Sequence, residues 1–138
     1  PSTSSAASDV YKRQEYAHHK VRTEFWGYAA KESLDNEAFI KEEYQGIRPA
    51  PGYPSCPDHR LKNDIWDLLD VEQKINISLT DSLAMWPTAS VSGLYFSHPQ
   101  SRYFQLGRID KDQVEAYSKS RGESIDENET WLSPVLGY

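Results

Sequence analysis

The stretch Arg48-Pro49-Ala50-Pro51-Gly52-Tyr53-Pro54-Ser55-Cys56-Pro57-Asp58-His59 holds four of the eight prolines in a chain of 138 residues, and the rest of the sequence is organised around it. Proline fixes its own φ, lacks a backbone donor and drives the preceding residue towards extended geometry, so Arg48, Ala50, Tyr53 and Cys56 are all biased away from helix. Gly52 is the position where the backbone can take positive φ without strain, or let a ligand approach closely. The stretch reads as a stiff loop, and a stiff loop loses little entropy when it binds something. Composition alone fits a connecting linker as well as a ligand loop. Arg48 contributes a planar fork suited to a carboxylate, and Tyr53 an aromatic face and a hydroxyl.

Upstream of the loop, good helix formers from Glu15 to about Trp26, with Tyr16, Val21 and Phe25 as the apolar positions, predict an amphipathic helix that Gly27 ends. Asp35 caps a second helix expected over 36–44, with Phe39, Ile40 and Tyr44 as its stripe, and Gly46 stops it. Downstream, Asp58 stands at an N-cap position ahead of Leu61, Ile65, Leu68 and Leu69, which predicts a helix over 59–69 with Trp66 on its apolar side. Alternation over Ile75-Asn76-Ile77-Ser78-Leu79-Thr80 predicts a half-buried strand. Two further strands, 90–96 and 102–106, would form a hairpin around His98-Pro99-Gln100. Asp110 with Gln113, and Ser124 with Glu127, have capping-box spacing and open two closing helices with Gly122 between them. The sum is an α+β fold, a twisted antiparallel sheet with surrounding helices.

Bulk properties narrow the function. A net charge of -6 with no basic run disfavours a nucleic-acid partner. One cysteine excludes an internal disulfide, and no apolar run approaches the roughly 18 residues of a membrane span, so a cytoplasmic protein with no membrane partner is expected. His18 and His19 point about 100° apart on a helix and no zinc-binding spacing accompanies them or His59, so no metal site is expected. Cys56 has no base spaced to activate it. Trp26, Trp66, Trp86 and Trp131 are expected to anchor the core.

The order of several unusual strings is more specific than any of these features. Glu42-Glu43-Tyr44-Gln45-Gly46-Ile47 leads into the loop, and Ala84-Met85-Trp86-Pro87 and Ser90-Val91-Ser92-Gly93-Leu94-Tyr95-Phe96-Ser97-His98-Pro99 follow it. With Glu15-Tyr16-Ala17-His18-His19-Lys20-Val21-Arg22, Phe25-Trp26-Gly27-Tyr28-Ala29 and the closing Trp131-Leu132-Ser133-Pro134-Val135-Leu136-Gly137-Tyr138, the pattern closely resembles the C-terminal activation domain of cobalamin-dependent methionine synthase. The resemblance covers about residues 15–138 and corresponds to the C-terminal portion of that domain. Residues 1–14 fall outside it and read as a non-native or disordered leader.

The resemblance implies a function. Domains of this family bind S-adenosylmethionine as the methyl donor for reductive reactivation of cob(II)alamin in an enzyme that moves a methyl group from methyltetrahydrofolate to homocysteine. It places Arg48 on the ligand carboxylate, and Ala50, Gly52, Tyr53 and Ser55 along the ligand, with Tyr53 nearest the corrin. It also puts Glu42 on the ammonium group and makes Tyr103 and Phe104 a second contacting pair, although by alternation these two point to opposite faces and one belongs to the core. No catalytic acid, base or nucleophile is implied. Cobalamin, and the zinc of the homocysteine domain, belong to domains absent from this sequence. The implied partners are the cobalamin-binding domain of the same enzyme and a flavodoxin or related flavoprotein reductase. A protein-interaction module, whose proline-rich loop binds a reductase without any small ligand, is the alternative. A stand-alone methyltransferase lacks support, since no glycine-rich strand-to-helix fingerprint is present.

Overall fold

The computed structural model describes residues 3–138. It divides into two compact units, with boundaries after Arg48, Asn76 and Arg102, so one boundary falls inside the proline-rich loop.

The first unit opens with helix α1, Thr3–Lys20, which runs on into a π-helical turn, Val21–Phe25. Helix α1 therefore starts well ahead of Glu15, and of the expected leader residues 1 and 2 lie outside the described residues. The buried face also differs from expectation. Tyr16 and Phe25 are exposed, while His18 and Arg22 are fully buried. Four residues apart, they share one helix face, and the π-helical turn carries Phe25 away from it. Helix α2, Asn36–Ile40, is capped by the Asp35 carboxylate, which accepts from the Ala38 amide at 2.8 Å. It ends four residues earlier than its pattern suggests and leaves Ile40 exposed, because the chain turns through a left-handed residue, Glu42 at φ 54°, which swings Tyr44 into the interior.

The sheet is a two-stranded antiparallel ribbon of β1, Ser78–Leu79, and β2, Met85–Trp86, with Ser78 opposite Trp86. The α+β class stands, but the expected hairpin over 90–106 does not form. Instead Phe96 bridges to Ile47, with paired bonds of 3.0 and 2.9 Å. Alternation marks a segment as extended without naming its partner, and here the partner lies on the far side of the loop in sequence. Trp26 and Trp86 are exposed rather than core anchors.

In the second unit, helix α3 spans Leu61–Leu69 and helix α4 spans Val71–Ile75, with Asp70 left-handed between them. Ile75, expected in a strand, closes α4 instead, so the strand is confined to β1. Leu68 and Leu69 are exposed, contrary to the predicted stripe, while Leu61 and Ile65 are half-buried. Helices α5, Lys111–Arg121, and α6, Ile125–Leu132, begin where the capping boxes place them, with Gly122 left-handed at the C-cap of α5. The Asp110 amide donates to the Gln113 side chain at 3.0 Å, and Ser124 accepts from the Glu127 amide at 3.2 Å. Ile109, Val114 and Leu132 form the core of this unit, with Tyr117, Val135 and Leu136 packed on it.

Gly46 shows how tightly the Ile47–Phe96 bridge is built. At φ +89° a Cβ would lie 2.3 Å from the Phe96 carbonyl oxygen, whereas at Gly107, φ +74°, a Cβ would meet open space. Both substitutions to alanine carry the left-handed penalty, about 1 kcal/mol, and only Gly46 adds a backbone collision. Urea unfolding should give a loss of about 1 kcal/mol for Gly107→Ala and at least about 3 kcal/mol for Gly46→Ala. Equal losses would show that the bridge yields freely.

Candidate functional site

The site in the first unit is built on two buried arginines. A guanidinium cannot be deprotonated in a protein, so each needs acceptors close by. Arg22 donates from Nε and Nη2 to the two carboxylate oxygens of Glu32, at 2.6 and 2.8 Å, and its guanidinium carbon lies 4.0 Å from the centre of the Tyr44 ring. Arg48 donates from Nη1 to the Tyr44 hydroxyl at 2.7 Å and to His18 Nδ1 at 3.0 Å. It also forms a two-pronged pair with Glu15, from Nη1 to Oε2 at 3.1 Å and from Nη2 to Oε1. Glu42 Oε1 stands 4.0 Å from Arg48 Nη2.

His18 is fixed by the same logic. Arg48 can only donate, so Nδ1 accepts and the neutral ring keeps its proton on Nε2, which faces the Tyr28 hydroxyl at 3.4 Å. Burial, with Arg22 and Arg48 on either side, pushes the His18 pKa down to about 3. Burial also raises the Tyr44 hydroxyl to about 12, keeping it protonated while it accepts from Arg48.

The remaining predicted residues belong to the second unit. Within the loop, the Gly52 amide donates to Cys56 O at 2.8 Å, the Tyr53 amide to Ala50 O at 3.2 Å and the Cys56 amide to Tyr53 O at 2.8 Å. The Gly52 and Tyr53 amides are therefore spent inside the loop and do not read a ligand's polar edge in this conformation. Carbonyls keep a second lone pair, so those of Ala50 and Tyr53 still can. Gly52 takes the left-handed backbone expected of it. At φ +97° its Cβ would sit 2.1 Å from the His59 ring, so the imidazole already fills that space. Tyr53 is exposed at 66% and Ser55 is half-buried. Tyr103 and Phe104 are both exposed, at 42% and 54%, so neither is core. They lie in irregular backbone, where strand alternation does not apply.

Asp58 does not cap α3 by its side chain. Its Oδ1 accepts from the Arg60 amide at 2.8 Å and its Oδ2 from Arg60 Nη2 at 2.6 Å and from the Tyr117 hydroxyl at 2.8 Å. Arg60 in turn reaches Asn128 and Glu123, both at 2.6 Å. The end of the loop is thereby tied to α5 and α6. Cys56 borders a cavity of about 260 Å³ with Asp58, Leu61, Leu106 and Tyr117. Burial and the Asp58 charge raise its thiol pKa, which suits a structural thiol rather than a nucleophile.

The family described as "Vitamin B12 dependent methionine synthase, activation domain" matches residues 11–122. The chain belongs to that family. A solved structure, "Crystal Structure of the MetH Reactivation Domain bound to AdoHcy", is 55% identical with a TM-score of 0.88, over 94% of this chain and 40% of that one. The chain thus spans less than half the length of that domain structure.

In this activation-domain chain, the buried polar cluster escaped sequence reasoning: Glu15, His18 and Tyr44 around Arg48, and Arg22 with Glu32 beside them. The i, i+4 spacing of His18 and Arg22 was the available signal, but charged residues on a helix ordinarily face water.

A histidine neutral in the folded state and titrating near 6.5 when unfolded contributes stability that is complete above 6.5 and lost as pH falls towards about 3. Urea unfolding between pH 7 and 4 should therefore show the chain losing up to about 1.4 kcal/mol per pH unit more than His18→Asn, whose Oδ1 can still accept from Arg48. Parallel profiles would contradict a neutral buried His18.

Proposed function

We propose that this domain binds S-adenosylmethionine as the methyl donor for reductive reactivation of cob(II)alamin in a cobalamin-dependent methionine synthase. The observation carrying the reading is the pairing of Arg48 with Glu42: a guanidinium held against buried neighbours, with a second carboxylate 4.0 Å away. That pairing matches the carboxylate and ammonium of an amino-acid zwitterion. The bound AdoHcy of the 55% identical reactivation domain supports it.

Arg48 takes the ligand carboxylate through paired, charge-assisted bonds and Glu42 takes the ammonium. The backbone carbonyls of Ala50 and Tyr53, with Gly52, the Tyr53 ring and Ser55, serve the rest of the ligand, and Tyr103 and Phe104 pack on its adenosine. Bound S-adenosylmethionine supplies a sulfonium methyl that is reactive on its own, so the protein's task is to orient it and keep water away. No acid, base or nucleophile in this chain takes part. Cobalamin, and zinc for homocysteine, are assigned to other domains of the enzyme. Its partners are the cobalamin-binding domain and a flavodoxin or related flavoprotein reductase in the cytoplasm. None of the described helices is long and apolar enough to cross a membrane.

Calorimetric titration of S-adenosylmethionine into the chain tests this. Arg48→Ala should weaken binding at least about tenfold, and Arg48→Lys should fall between, since it keeps the charge and loses the fork. Unchanged affinity in Arg48→Ala would overturn the reading. No heat with the parent chain would favour an interaction module that binds a reductase alone.

A further inference from the structure

Arg48 can present a paired edge to only one carboxylate through Nη1 and Nη2, and in this structure that edge is taken. Glu15 engages both atoms, Nη1 to Oε2 at 3.1 Å and Nη2 to Oε1. The two Nη1 hydrogens are shared among Glu15 Oε2, the Tyr44 hydroxyl at 2.7 Å and His18 Nδ1 at 3.0 Å, so this end of the guanidinium cannot rotate towards a newcomer without breaking buried bonds. Glu15, His18 and Tyr44 differ in how replaceable they are. His18 is fully buried and Tyr44 nearly so, whereas the Glu15 side chain keeps 22% of its surface in solvent and lies on α1 with water to receive it. A carboxylate released to water regains its hydration, while a buried histidine or tyrosine released from Arg48 does not. Glu15 is thus the one that an incoming carboxylate can replace like for like.

We infer that Glu15 is an internal competitor for Arg48: a built-in carboxylate that closes the fork when no ligand is present and must leave it when a ligand carboxylate arrives. The inference rests on the reading of Arg48 as the ligand's carboxylate partner. Its consequence is a specificity filter. Ligand affinity is reduced by the fraction of molecules in which the fork is closed, and only a group that offers Arg48 an equivalent pair of bonds recovers that loss. Ligands without a carboxylate leave Glu15 in place and gain nothing from its removal.

The experiment compares the parent chain, Glu15→Gln and Glu15→Ala, each titrated with S-adenosylmethionine and with its decarboxylated analogue, which keeps the ammonium, sulfonium and adenosine. Both variants should bind S-adenosylmethionine about five- to tenfold more tightly than the parent and bind the analogue within about twofold of it. In an Arg48→Ala background the gain should vanish, as a coupled pair requires. Two variants are used because the amide tests loss of charge while keeping side-chain length, and alanine keeps helix propensity should the amide disturb α1. No tightening in either overturns the inference, as does equal tightening for both ligands, which would report a general change in the domain. If Arg48→Ala weakens S-adenosylmethionine binding while the Glu15 variants do not tighten it, the competitor alone is refuted. If Arg48→Ala leaves affinity unchanged, the reading of Arg48 and the inference fall together.

Discussion

A buried guanidinium imposes its surroundings, and in the first unit there are two, Arg22 and Arg48. Neither can shed its proton, so the side chains that stand against them must offer acceptors or aromatic faces: carboxylates, hydroxyls, ring faces and a histidine without charge. Glu32, Tyr44, Glu15 and His18 are that set. Removing Glu32 would leave Arg22 buried without its carboxylate, a loss of about 3 to 5 kcal/mol and far beyond what a surface pair contributes. The same lattice that holds the unit together therefore aims Arg48, and the stability of the unit and the geometry of its fork are one property. The π-helical turn fits this demand, since it presents Arg22 inward beside His18 of α1 while Phe25 and Trp26 turn out.

The second unit solves a related problem around Arg60. Asp58, Asn128 and Glu123 surround a guanidinium that is 4% exposed, and Asp58 also receives the Tyr117 hydroxyl. Asp58 closes the proline-rich loop, so an ion-pair network set among α3, α5 and α6 fixes where the loop ends. Inside the loop, the His59 ring lies against Gly52, which is left-handed at φ +97°, and the Gly52, Tyr53 and Cys56 amides donate to loop carbonyls. The loop is rigid before any ligand is considered, which is what positioning chemistry asks of a scaffold.

Much of this was legible in the residues. Asp35, Asp110 and Ser124 start helices at their predicted positions because capping is a local interaction, decided by a side chain and an amide three residues on. The loop and its arginine were legible because proline and glycine act on the backbone at their own positions. What failed was non-local. The extended stretch ending at Phe96 finds Ile47 rather than a hairpin partner, and nothing in its alternation could choose between them. Leu68 and Leu69 fit a helical stripe and are nonetheless exposed, since periodicity identifies a face without saying that the face is covered. The partners of the buried arginines were missed for the same reason: Glu15 lies 33 residues from Arg48 and Glu32 lies 10 from Arg22 in sequence, and a charge looks solvated until the fold supplies its counterpart.

The central claim is that Arg48 is a prepared receptor for a ligand carboxylate. A crystal structure of the chain grown with S-adenosylmethionine addresses it most directly. The account predicts the ligand carboxylate within about 3 Å of the Arg48 Nη atoms, His18 and Tyr44 still on Nη1, and Glu15 turned to solvent. A ligand bound with Arg48 still closed on Glu15 would contradict it.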